Sequence, residues 1–360
     1  MSTRPPRGRA APDNPAPRYG AERREASLPE WPADADVEAD GGPQTPLRTR
    51  TRIDASRSII ARNESPDIPF EQSINPYRGC EHGCIYCFAR PTHAWLDLSP
   101  GLDFETEIVV KPHAAALLRA ELARPAYRCR TLAMGTNTDP YQPVERDHGI
   151  TRSILELLVE CRHPVAVTTK STRVRRDLDL LGELAVQDLA CVNLSITTLD
   201  AEMAMRLEPR AAAPQARLET LTRLREAGVP CGVLVSPVIP ALTDHELEAI
   251  LGAARDAGAQ WASWLLVRLP REVGPLFEQW LSAHYPERAT RVLGHIREAW
   301  GGTLNPTRFG ARHHGQGAYA HTLAQRFRLA HRRLGFGAVP GLRSDLFRPP
   351  GLGGQLALDL

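Results

Sequence analysis

Between residues 72 and 270, short runs rich in β-branched and apolar residues alternate with segments of helical periodicity. TEIVV (106–110) leads to a helical pattern near 112–124, TLAMGT (131–136) to 147–161 and VAVTT (165–169) to 173–185. CVNLSIT (191–197) leads to patterns near 199–206 and 214–227, CGVLVSPV (231–238) leads to 243–257, and WASWLLVRL (261–269) closes the series. Strands and helices of these lengths in alternation imply parallel βαβ units. Near-continuous apolar strands imply burial on both faces. The strand starting near 72 and the five after 125 make six units, too few for a full eightfold barrel. The expected fold is α/β, an open partial (β/α)6 barrel whose ligands sit at the carboxyl ends of its strands.

The rest of the chain is arranged around that core, 72–270. Residues 1–45 are rich in Pro, Arg, Ala and Asp and poor in large apolar residues, so a disordered N-terminus is expected there. Residues 46–71 read as an irregular lead-in, 271–345 as a helical basic extension with helices in 273–300 and near 318–334, and 346–360 as a flexible tail. The 44 Lys+Arg nearly balance the 42 Asp+Glu, so bulk charge does not mark a nucleic-acid binder. Seven cysteines without paired spacings argue against a secreted disulfide framework. No signal-like segment and no long apolar run is present, which points to a cytoplasmic protein with no membrane partner.

Directly after the first strand, CEHGCIYC spaces Cys80, Cys84 and Cys87 as C-x3-C-x2-C. Soft thiolates this close select iron–sulfur clusters, zinc or cuprous ions. A cubane of four irons would leave one iron without a protein ligand, open to a small molecule. The alternative is structural zinc on Cys80, His82, Cys84 and Cys87, a cramped arrangement because His82 lies two residues from each of two cysteines.

Other strand ends carry polar groups suited to the same mouth. GTNTDPYQPVE (135–145) offers Thr136, Asn137, Thr138 and Asp139, where Asp139 could pair with a ligand ammonium or close an Asx turn before Pro140. Lys170 ends the third strand as a point charge for a carboxylate or phosphate. Ser195 and Thr197 follow on the fourth strand, and Arg206, Glu208 and Arg210 lie just beyond, as ligand contacts or as a surface ion pair.

NPYRGCEHGCIYCFAR, with GTNTDPYQPVE and TTKS, resembles the radical S-adenosylmethionine superfamily and, within it, the spore photoproduct lyase-like group, also called DNA repair photolyase-like. The resemblance covers about residues 72–270 and implies the partial barrel of the radical SAM type. It implies a [4Fe–4S] cluster on Cys80, Cys84 and Cys87, and S-adenosyl-L-methionine chelating the fourth iron. It implies Tyr86 beside the adenine, Thr138 and Asp139 by the amino group, Lys170 by the carboxylate and Ser195 by the ribose, with Arg210 a further cofactor-binding candidate. A reducing flavodoxin or ferredoxin would supply the electron, and a radical enzyme acting on a nucleic-acid lesion or modified nucleotide is the expected activity. The chain departs from the spore lyase near Thr136 and Asn137, where the lyase has a cysteine hydrogen donor. Cys129 begins a strand and is expected to point to the opposite end of the barrel, which leaves Tyr141 as an alternative donor.

Other readings keep the cluster but change its use: a clamp-associated DNA-binding protein with a structural cluster, or a radical enzyme for a peptide or small metabolite. Eight arginines and one acid between Arg308 and Arg348 offer a phosphate-binding face or a solvated one. The last six residues, Gln355–Leu360, resemble the peptide by which bacterial proteins dock on the DNA sliding clamp.

Overall fold

The computed structural model describes residues 5–19, 47–305 and 313–351. The six expected barrel strands form one sheet: β1 (Gln72–Ile74), β2 (Leu132–Met134), β3 (Val165–Thr169), β4 (Ala190–Ser195), β5 (Cys231–Val238) and β6 (Trp261–Leu266). They lie side by side in chain order and all pair in parallel, so each helical crossover moves the chain one strand along the sheet. β1 and β6 do not pair with each other, and the barrel is open between them. An antiparallel strand, Ile60–Arg62, covers the free edge of β1. The core between sheet and helices is closed by Val165, Val167, Val192, Leu194, Val233 and Val235 from the strands and by Leu155, Leu158, Leu181, Leu221, Leu224, Ile250 and Leu251 from the helices, all buried. This is why the strands read as continuous apolar runs rather than alternating ones.

Glu107–Val110 stands outside the barrel. It joins Arg50–Ile53 in parallel and Tyr77–Arg78 in antiparallel register, forming a small second sheet that anchors the chain just before the cysteines. The 46–71 lead-in is therefore less irregular than expected, since each of its two strands extends a sheet edge.

Parts of both ends expected to be loose are packed where the structure describes them. Residues 5–19 are packed on the body, with Ala10 and Ala11 fully buried. Polar contacts made by their backbone and by Arg9, Asn14 and Arg18 replace the missing apolar side chains. At the other end, residues 335–351 run beneath the amino ends of the strands. Gly337 bridges to Trp261, Arg343 N–H donates to Asp188 O (3.0 Å), and Arg348 N–H donates to Cys161 O (2.8 Å). Phe347 packs edge-on against His163 and Tyr127. Arg308, Arg312 and the clamp-like segment Gln355–Leu360 lie outside the described residues. Among the described residues no helix is long and apolar enough to cross a membrane.

Candidate active site

The mouth at the carboxyl ends of the strands collects nearly every polar residue singled out in the sequence. Its floor begins where β1 passes into the cysteine loop. Asn75 holds that exit, donating from Nδ2 to Thr136 Oγ1 (3.1 Å) and accepting at Oδ1 from Asn137 N–H (2.9 Å). The β2 exit turns at Gly135, φ +92°, where an added Cβ would stand 2.0 Å from the Thr168 carbonyl oxygen. Only glycine permits this approach of the two strand ends.

Cys80 and Cys84 are buried, Cys87 is half-buried, and none forms a disulfide. Burial raises all three thiol pKa values, and for Cys80 the neighbouring charges of Asp139, Cys84 and Cys87 push the same way. Three thiolates so close repel one another unless a cationic centre sits among them. Backbone N–H groups already face the sulfurs: Asp139 toward Cys80, and Ala89 and Arg90 toward Cys87. Such N–H groups stabilise and tune thiolate-bound clusters. Among the described residues no set of three His, Cys, Asp or Glu converges on a single ion. His82, the fourth ligand that zinc would need, instead places Nδ1 3.3 Å from Asp139 Oδ2. The donor set fits a multi-iron cluster held by three thiolates better than it fits tetrahedral zinc.

Asp139 ties loops together. Oδ1 accepts from Thr169 Oγ1 (2.7 Å) and Tyr141 N–H (2.9 Å), and Oδ2 accepts from Lys170 N–H (2.8 Å). Burial alone would raise its pKa, but His82 and these donors outweigh that and hold it below the usual carboxylate range. Thr138 is engaged too, donating from Oγ1 to Gly79 O (2.6 Å) and accepting from Gln142 Nε2 (2.9 Å). Both residues thus lock the second loop onto the cysteine loop.

Lys170 reaches across the mouth. Its ammonium donates to Ser195 Oγ and to Ser236 O (3.2 Å), lies 3.6 Å from Glu208 Oε1, and sits 5.9 Å from the Tyr86 ring centroid. Ser195 Oγ donates onward to Ser236 O (3.0 Å). Glu208 is the hub beneath them. It accepts from the Tyr86 hydroxyl, from Thr197 Oγ1 (2.7 Å) and from the guanidinium of Arg217. Burial opposes its ionisation, but Arg217 and Lys170 prevail and its pKa falls to about 2. The ring of Tyr86 is thereby fixed one residue before Cys87.

Two candidates stand elsewhere. Arg210 Nη2 pairs with Glu81 Oε1 (3.0 Å) and its N–H donates to His82 O (3.3 Å), so it braces the cysteine loop from outside. Arg206 pairs with Glu202 and covers Tyr285. Tyr141 is the clear correction. It is fully buried, and the charged groups around it are Asp177, Arg176 and Glu145, not Lys170 or the cysteines. Its hydroxyl is buried without a hydrogen-bond partner among the described residues, and its ring lies under the Arg176 guanidinium (5.9 Å to the centroid) rather than at the rim of the mouth.

Sequence reading missed three buried residues. Arg90 makes five hydrogen bonds around the cysteine loop, Glu105 is its ion-pair partner, and Arg217 is the counter-ion of Glu208. Only Arg90 gave a signal, as an arginine three residues after the last cysteine.

The Radical SAM superfamily model matches residues 74–254, the stretch that builds this mouth. The chain belongs to the radical SAM superfamily. Its cofactors are accordingly a [4Fe–4S] cluster and S-adenosylmethionine, and it is an enzyme of radical SAM type. Cys80, Cys84 and Cys87, spaced C-x3-C-x2-C, would hold the cluster. A Mycobacterium tuberculosis (strain ATCC 25618 / H37Rv) protein described as uncharacterized is 42% identical over 236 residues, covering 64% of this chain and 69% of that one. A radical SAM Nalpha-GlyT isomerase of Pseudomonas phage M6 is 24% identical over 225 residues, covering 57% and 44%. Among solved structures, a spore photoproduct lyase variant with bound AdoMet and dinucleoside spore photoproduct superposes with a TM-score of 0.55 at 16% identity, covering 79% of this chain and 78% of that one. That likeness is one of fold.

Proposed function

We propose that this radical SAM enzyme removes a hydrogen atom from a lesion or modified nucleotide in nucleic acid. The observation that carries the reading is the rim beside the cluster loop. Phe88, the residue after Cys87, is 45% exposed, and the Arg268 guanidinium lies 4.7 Å from its ring centroid. Arg268 follows β6, so the pair spans the open side of the barrel. An exposed aromatic face beside a guanidinium suits a base and its phosphate. The dinucleoside spore photoproduct bound by the spore photoproduct lyase variant is a ligand of the same chemical class.

When bound, the two cofactors supply reductive cleavage of the sulfonium to methionine and a 5′-deoxyadenosyl radical. The chain's own work is orientation and exclusion of water. Lys170, held by Ser195, Ser236 and Glu208, would be the cation for the cofactor's carboxylate, and Ser195 would bond a ribose hydroxyl. Tyr86, anchored through its hydroxyl, offers a fixed ring to the adenine. A flavodoxin- or ferredoxin-type reductant would supply the electron. The test is anaerobic turnover with dithionite, deuterated S-adenosylmethionine and lesion-bearing oligonucleotides. Deuterium exchange into an oligonucleotide supports the reading. Formation of 5′-deoxyadenosine with no exchange into any oligonucleotide, but exchange into a peptide or metabolite, would sink it.

The sliding clamp is a second partner we propose. The described chain ends at Gly351, whose carbonyl lies 3.4 Å from Arg119 Nη1 on the face opposite the mouth. A partner held by Gln355–Leu360 would leave the mouth free for substrate. Calorimetry with the clamp, before and after deletion of those six residues, tests this. Equal binding, or none at all, would end it.

A further inference from the structure

We infer that the N-terminal segment Arg9–Pro15 is part of the cluster site, acting through Glu105 and Arg90 as positioning residues. The inference rests on the cluster that the superfamily carries. Its geometry begins at the cysteine loop. Arg90 is fully buried and donates to the carbonyls of Gly83 (2.9 Å) and Cys84 (2.9 Å), and to those of Pro100 (3.1 Å) and Gly101 (3.0 Å). Its fifth bond goes to Glu105 Oε1 (2.6 Å), also fully buried. A guanidinium has five donors in a fixed fork, so Arg90 fixes the backbone between the first two cysteines and the backbone of the second.

Glu105 is in turn fixed by the N-terminal segment. Ala11 N–H donates to its Oε1 (3.0 Å) and Ala10 N–H to its Oε2 (3.2 Å). Arg9 Nη1 donates to the Glu105 carbonyl (2.6 Å), and Arg9 Nη2 to Leu47 O (2.8 Å) and Thr49 Oγ1 (3.1 Å). Gly83, φ +67°, presses its bare Cα against the same carboxylate, where a Cβ would stand 2.8 Å from Glu105 Oε2. Without the segment, the buried carboxylate would lose two N–H donors and face Arg90 alone.

Contacts continue along the segment. Leu102 N–H donates to Asp13 O (3.1 Å). Asn14 exchanges bonds with Asp103, Nδ2 to Oδ1 (2.8 Å) and Asp103 N–H to Asn14 Oδ1 (2.9 Å). Ser99 Oγ donates to Pro15 O (2.6 Å). Six of these seven residues thus bond to Glu105 or to the 99–103 stretch that Arg90 also holds. Outer-shell partners of metal ligands change metal affinity by about 10–100-fold when removed.

The test compares the full chain with a truncation lacking residues 1–15 and with Arg9→Met, each reconstituted anaerobically with iron and sulfide. The readouts are iron per chain and the rate at which visible absorbance decays under an iron chelator. The expected result is decay roughly 10-fold or more faster in both variants. Variants that keep iron as long as the full chain, with unchanged far-ultraviolet dichroism, overturn the inference. Arg9→Met serves alone where the truncation fails to fold. A full chain that takes up no cluster overturns the cluster reading along with it, and is distinguished because no variant comparison is then needed.

Discussion

Glu208 and Arg217 form a fully buried ion pair directly under the mouth, and the same carboxylate holds the Tyr86 hydroxyl and lies 3.6 Å from the Lys170 ammonium. Buried charges persist only when paired and hydrogen-bonded. Here Arg217 also donates to Ser195 O (2.8 Å) and Ala212 O (2.7 Å), which leaves little of either group unsatisfied. The pair therefore joins the fold to the side chains of the mouth.

Glu208→Ala leaves a buried guanidinium without its counter-ion. Breaking such a pair costs about 3–5 kcal/mol. The expected outcome is a large drop in urea midpoint with a parallel loss of S-adenosylmethionine binding, because Tyr86 and Lys170 lose their anchor. Glu208→Gln keeps the shape and should fall between. Unchanged unfolding midpoints in both variants would contradict this account.

Lys170→Ala removes the cation at the centre of the cup while leaving the Glu208–Arg217 pair in place. A hydrogen bond to a charged group contributes about 1.5–3 kcal/mol, so affinity for S-adenosylmethionine should fall about 10–150-fold. Equilibrium dialysis with reconstituted protein measures it. Cluster content should not change, and a variant that loses iron instead would place Lys170 in the cluster's support.

Cys84→Ala should abolish cluster-derived visible absorbance and all 5′-deoxyadenosine formation, with iron per chain near zero after desalting. A variant that retains the cluster spectrum would remove Cys84 from the ligand set.

His163 gives a pH dependence distant from the mouth. It is fully buried, its Nε2 lies 2.7 Å from the Tyr127 hydroxyl oxygen, and burial lowers its pKa to about 4. Unfolded histidine titrates near 6.5. Between those values the unfolded state binds more protons, so stability falls as pH drops through that window. At pH 5.5 the loss is about 1.4 kcal/mol relative to pH 8. His93 has a similarly lowered pKa and adds to the trend. His163→Gln should flatten the slope of Tm between pH 7.5 and 5.5. An unaltered slope would show that the titration lies elsewhere.

The barrel was legible because each strand is buried on both faces and each helix on one, which writes itself into the sequence as apolar runs and periodic stripes. β5 is found at Cys231–Val238, the bounds of its run. Cys80, Cys84 and Cys87 could be proposed from the sequence as a ligand set because their spacing is local. That Lys170 and Ser195 meet at one mouth was legible because strand ends face it. Glu105 and Arg217 were not, since their meaning lies in partners 94 and 9 residues away in the chain. The packing of Arg9–Pro15 was hidden for a different reason: it is made by the Arg9 and Asn14 side chains and by backbone N–H and C=O groups, which every residue has. Tyr141 misled because a residue in the right loop can face the core rather than the ligand.

The rim pair makes the substrate proposal measurable before any turnover. Phe88 and Arg268 touch each other across the opening, so a base stacked on Phe88 would bring its phosphate near the guanidinium. Stacking on an aromatic side chain contributes about 1–3 kcal/mol per base, and one phosphate contact adds a salt-dependent increment. Phe88→Ala should weaken binding of a single-stranded oligonucleotide about 5–150-fold with little change in salt slope. Arg268→Ala should weaken it less at high salt than at low and reduce the slope by about one. Fluorescence anisotropy across a salt series separates the two. If neither variant alters oligonucleotide affinity, the rim does not hold nucleic acid, and the radical chemistry is directed at another class of substrate.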